Sequence, residues 1–193
     1  MTPSKLIGAV LGMVLGAISG LGAGSKPAQA GRAPAQKVEC KSIPVDVAGQ
    51  WDRKTCLNSP LSNSTGQAVG ATEIVEAYRA NAILTIFFTH VDSQDTLDKV
   101  TPKGFVTDTG LMFETANWKA AGTHGGFDVA TFRGRFADRK DKVPCLSFVR
   151  NGAAAEGNAG FRRTEAGVFC NLSDKELAST DIDTAIAAAQ FPK

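Results

Sequence analysis

Four cysteines constrain this chain more than any other feature: Cys40, Cys56, Cys145 and Cys170. Their even number, with no Cys-x-x-Cys pair, points to disulfides rather than to a zinc ribbon or a thioredoxin-type redox site. Four half-cystines allow three pairings, and the sequence around the last two favours one of them. Residues 144–150 (PCLSFVR) and 161–170 (FRRTEAGVFC) have strand character, and NGAAAEGNAG joins them. Setting Cys145 opposite Cys170 in an antiparallel hairpin puts Leu146 beside Phe169 and Arg150 beside Glu165, all compatible cross-strand pairs. The same register centres the turn on Gly157-Asn158. It also gives the cysteines a non-hydrogen-bonded position, where side chains approach more closely. A competing turn at Asn151-Gly152 would shift the register and separate the sulfurs. The expected bridges are Cys145–Cys170 and, by elimination, Cys40–Cys56.

Disulfides need an oxidising compartment, and the first thirty residues read as the route to one. Lys5 begins a short basic region, Leu6 to Gly24 is uncharged, and Ala28-Gln29-Ala30 is the small-x-small pattern of a signal-peptidase site. Residues 1–30 are therefore expected to be a cleaved export signal, with the mature chain periplasmic or extracellular. Gly8, Gly12, Gly16 and Gly20 fall on one helical stripe of the kind that lets membrane helices pack closely. Retention of residues 6–24 as an anchor is the alternative, and membrane association is expected only in that case. Lys26, Arg32 and Lys37 follow the stretch and oppose an anchor whose N-terminus stays inside.

Charge narrows the partners. The 21 basic residues include Lys5 and Lys26, so beyond residue 30 nineteen basic side chains meet 19 acidic ones. A neutral body carries no electrostatic footprint for a polyanion, so no nucleic-acid partner is expected.

Along the mature chain, residues 31–70 read as a loop-rich segment packed on the main domain, broken by Pro44, Pro60 and the polar run Asn58 to Thr65. Residues 71–193 read as the main domain. Within it, 71–81 fits either a helix or a strand. Residues 82–90 (AILTIFFTH) are apolar on both faces and fit a central, covered strand. A short helix is expected after Asp92 or Ser93, stopping before Pro102. Strands are expected at 104–108, 110–115 and 126–136, and a terminal helix behind the capping box Ser173/Glu176, with a second cap at Thr180/Asp183. Consecutive strands with marginal helices give an α+β fold: a largely antiparallel sheet, a C-terminal helix, one or two further short helices and two disulfides.

Chemistry-bearing residues are sparse. Asp108-Thr109-Gly110 is the triplet that aspartic peptidases display after an apolar strand, but those enzymes need two such carboxylates and this chain has one copy. It reads as a polar β-turn between strands. His90, Asp92 and Asp95 could gather at a strand end as a weak metal or acid/base site, although the spacing matches no specific metal motif. His124 reads as a surface histidine in a glycine-rich loop. Arg133, Arg135, Arg139, Lys140 and Lys142 form a basic run interleaved with Asp138 and Asp141, so a solvated hairpin is expected there. Ser147 has no nucleophile elbow around it. No catalytic residue, metal or cofactor is assigned. The sequence points to an exported, disulfide-stabilised accessory, interaction or ligand-binding module rather than an enzyme. The alternatives are a small exported hydrolase using Asp108 or the His90/Asp92 region, and a membrane-tethered envelope component.

Overall fold

The strongly apolar stretch Ala82–Val91 (β6) runs through the interior of a nine-stranded antiparallel sheet. The computed structural model describes residues 31–63, 65–92, 95–155 and 160–192. The other strands are Gly31–Arg32 (β1), Gln36–Val38 (β2), Asp46–Val47 (β3), Arg53–Ser62 (β4), Ala68–Arg79 (β5), Glu114–His124 (β7), Phe127–Arg135 (β8), Val143–Asn151 (β9), Arg163–Asn171 (β10) and Ala189–Gln190 (β11). Their order in space is β1-β4-β5-β6-β10-β9-β8-β7, with β2 also on β4, while β3 and β11 form a small ladder of their own. Two meanders, β4–β6 and β7–β10, thus join along the β6–β10 pairing. The helices are Pro102–Thr109 (α1) and Ser179–Ala188 (α2). Strand residues make up about half of the described residues, so the α+β label holds with the balance strongly toward β.

Each face of the sheet carries its own core. On the first face Val75, Leu84, Ile86, Leu146 and Phe148 meet Ile43, Val45 and Val47 from the N-terminal segment and Ile182 and Ala185 from α2. On the second face Phe87, Val149, Ala166 and Val168 lie under Phe105 and Val106 of α1, with Phe87 and Phe105 edge to face at 5.0 Å. Double coverage explains why β6 is apolar at successive positions.

Both expected disulfides are present. Cys145 and Cys170 are register partners on β9 and β10, as are Leu146 with Phe169 and Arg150 with Glu165. Their Cα–Cα distance of 4.1 Å suits a non-hydrogen-bonded pair rather than the wider site. Cys40–Cys56 ties a 3-10 turn at Cys40–Ser42 to β4. The expected turn at Gly157-Asn158 and residues 1–30, on which the expected export signal, its cleavage site and the glycine stripe fall, lie outside the described residues. Among the described residues no helix is long and apolar enough to cross a membrane.

Several local expectations give way. Within the segment read as loop-rich, Arg53–Ser62 is a ten-residue strand, and Pro60 is tolerated because β4 is paired on that side only by the short β1 and β2. The segment 71–81 is strand as far as Arg79, and its last two residues form the turn into β6. No helix covers 95–100; Leu97 instead bridges to Phe161. The helix begins at the proline and runs over the expected strand 104–108, because Thr101 caps it through Gly104 N–H (3.1 Å) and Pro102 fits its first turn. Asp108 and Thr109 therefore end a helix, closed by Gly110 in the left-handed region at φ 63°, and do not form a β-turn between strands. Residues 173–178 are not helical. Ser173 hydrogen-bonds Asn171 through its backbone N–H and its hydroxyl, and Glu176 pairs with Arg133. The helix starts at Ser179, where the Asp181 carboxylate accepts from Ala178 N–H at 2.8 Å.

Candidate functional site

Alternation along the strands places charged residues in phase with the first-face core. In β5 Glu73 shares a face with Val75 and Ala77, and in β10 Glu165 shares one with Gly167 and Phe169. Register then lines up Asn58, Glu73, Phe88, Glu165 and Arg150 as successive partners across five strands. The neighbouring row is Ala71, His90 and Arg163. Both carboxylates are nearly inaccessible, Glu165 at 1% and Glu73 at 5% exposure.

The two acids are satisfied differently. Glu165 accepts from Arg150 Nε at 2.6 Å, pairs with Arg150 Nη2, and lies 3.6 Å from Arg163 Nε. Glu73 has His90 as its ion-pair neighbour, Oε2 to Nδ1 3.4 Å, in a geometry that makes no hydrogen bond. Among the described residues five buried side-chain polar atoms lack a hydrogen-bond partner, and four belong to this face: Asn58 Oδ1, Glu73 Oε2, His90 Nδ1 and Glu165 Oε1. Buried polar atoms are nearly always paired, so this concentration marks the place where the fold departs from pure packing.

Beside this charged patch opens a cleft of about 510 Å³. Phe127 and Arg150 line one side, Pro44 and Asp46 another, and Ala189, Gln190 and Phe191 a third. Gly167 gives the aromatic stack its depth, since a Cβ there would lie 2.3 Å from Cζ of Phe148. Phe127 stands edge to face on Phe148 at 5.4 Å, Phe191 lies 5.8 Å from Phe127, and the Arg150 guanidinium covers the Phe127 ring at 4.3 Å. Asp46 pairs with Lys54 at 2.8 Å. The C-terminal wall follows α2, which His124 holds to β7: Nδ1 is 3.0 Å from Asp183 Oδ1 and Nε2 is 3.1 Å from Ala121 O. His124 is thus a strand residue with both nitrogens engaged, not a loop histidine.

Of the residues singled out from sequence, His90 is in the patch, but its carboxylate neighbour is Glu73. Asp92 lies just past β6, exposed, with its backbone N–H donating to Val69 O and its carbonyl accepting from Arg162 Nη1. Asp95 follows, its N–H donating to Asp92 O at 3.2 Å. Asp108 is exposed on α1, over the second face, so the sheet separates it from His90. Three members of the basic run are ion-paired: Arg133 with Asp174 and Glu176, and Arg135 and Lys142 with Glu114. Hydrogen bonds from Arg135 and Lys142 hold the Glu114 carboxyl below its ordinary range. Also on the second face, Tyr78 donates to Glu76 at 3.1 Å beneath Arg53. Burial, then the Glu76 charge, pushes the Tyr78 phenol up to about 12.

Sequence reasoning left Glu73 and Asn58 out. The signal that finds Glu73 is its phase: once 71–79 is a strand, an acid occupies the alternate position reserved for Val75 and Ala77. Among the described residues no three His, Cys, Asp or Glu side chains gather as a metal-binding group. Comparison of the chain with protein-family models, curated proteins and solved structures gives no significant match.

Proposed function

We propose that this protein is an exported, disulfide-fastened binding module, without catalytic activity of its own, that takes a small ligand in the cleft beside Arg150. Two disulfides in a neutral body suit an oxidising compartment, and the reading of residues 1–30 as an export signal supplies the route.

The observation that carries the binding reading is the posture of Arg150. Buried Glu165 holds Nε and Nη2, and the Phe127 ring supports the guanidinium face, so its remaining N–H groups are pre-oriented at the cleft wall. Phe127 and Phe191 offer apolar surface next to that donor. A cleft of this size with one fixed polar anchor among aromatic walls suits a small molecule that combines a planar apolar body with an anionic group. Titration of the oxidised protein with benzoate and indole-3-acetate, followed by calorimetry, tests this. Saturable binding that weakens at least ~10-fold in Arg150→Gln supports it. Absence of saturable binding of either probe, or binding indifferent to Arg150, overturns it.

A further inference from the structure

We propose that Glu73 and His90, with the amide oxygen of Asn58, the register partner of Glu73 on β4, form a site for one divalent metal ion of the zinc type. The site lies on the first face of the sheet, across the Phe88 position from Glu165, and is independent of ligand binding in the cleft.

Three observations carry this. First, register brings the donors together from three adjacent strands: Asn58 faces Glu73 across β4 and β5, and His90 is one row away on β6, facing Ala71. Second, Asn58 Oδ1, Glu73 Oε2 and His90 Nδ1 are all buried and all without a hydrogen-bond partner among the described residues. The Glu73 side chain is 6% exposed, so its carboxylate cannot simply turn to water. Third, the Glu73–His90 separation is 3.4 Å. A charge-assisted hydrogen bond would close to about 2.8 Å. Two ligands of one tetrahedral zinc, each about 2.0–2.1 Å from the ion, stand ~3.4 Å apart.

The surroundings fit the same chemistry. Phe88 stacks on the His90 ring at 5.5 Å and restrains its plane. The His90 side chain is 38% exposed, so the site lies near the surface, and water entering with the ion would complete the coordination shell. Arg163, the cation across from His90, points its Nε at Glu165 Oε1. An imidazole, a carboxylate and an amide oxygen make a borderline donor set suited to zinc rather than to soft cations. With two strong protein ligands, binding is exchangeable and unlike that of a closed structural zinc site.

The test is calorimetric titration of the oxidised full chain with zinc chloride, with the imidazole proton signals followed by nuclear magnetic resonance. The chain has two histidines, so the spectrum separates them cleanly. One equivalent of zinc should bind and shift the His90 ring while leaving the His124 ring in place. Glu73→Gln should weaken binding at least ~10-fold, while its metal-free melting temperature stays level or rises because a buried charge becomes a neutral amide. His90→Asn, at a half-exposed position, gives the same loss of binding in a variant that folds, and Asn58→Asp tightens it. No saturable zinc binding, a response at His124 instead of His90, or wild-type affinity in the Glu73 and His90 variants overturns the proposal.

Discussion

Arg150 and Glu165 face each other across the β9–β10 ladder, and the guanidinium reaches a carboxylate that is 1% exposed. The pair joins the hairpin to the cleft, because the same arginine covers Phe127. A carboxylate this deep is tolerated only while it is paired, so the acid fixes the posture of the base.

Arg150→Met should therefore cost about 3 kcal/mol, because Glu165 is left with Arg163 alone at 3.6 Å. Replacing both partners, Arg150→Met with Glu165→Leu, should recover most of that loss. Urea denaturation of the two single variants and the double variant measures the coupling. Additive losses would mean that the pair does not act as a unit.

Gly167→Ala should destabilise the fold by about 1–3 kcal/mol, since the new methyl group meets the fully buried Phe148 ring. Phe127 rests on that ring, so the same change should also disturb the cleft. Thermal melts together with the aromatic proton shifts of Phe127 check both consequences. A variant as stable as the parent would show that Phe148 does not occupy the space over Gly167.

Tyr78 is the chain's single tyrosine, so its ionisation can be followed directly in the ultraviolet. The midpoint should lie near 12, set first by burial and then by Glu76. Glu76→Gln should lower it part of the way. A phenol with a raised folded pKa holds its proton more tightly in the native state. Its stabilising contribution is complete below about pH 10 and is lost as pH rises toward 12. A midpoint at the ordinary value would place Tyr78 in open water.

Removing either bridge, as Cys145→Ala/Cys170→Ala or Cys40→Ala/Cys56→Ala, should cost about 3 kcal/mol for closed loops of this length. The two losses should add, because one bridge sits in the second-face core and the other against the first. Denaturant midpoints of the two double variants and the quadruple variant measure this.

Legibility from sequence followed the number of independent constraints at each place. The hairpin could be read to its register because a cysteine pair, an apolar pair and a charge pair all required the same alignment, and a one-residue slip would break all three. β6 was legible because no surface strand is apolar on both faces. Arg53–Ser62 was not, since its strand identity comes from pairing with β5 while Pro60 and its polar residues carry loop signals. The capping box at Ser173/Glu176 misled because Asn171 and Arg133, one of them distant in sequence, take the two side chains. At the site, His90 stood out as a titratable residue. Glu73 did not, because the meaning of an acid depends on which face its strand buries.

Peptide mapping of the unreduced protein purified from its natural host decides whether the chain is exported and crosslinked. An exported chain begins at Gly31 and yields peptides crosslinked as Cys40–Cys56 and Cys145–Cys170. Four free thiols on a chain that still begins at Met1 would rule out both.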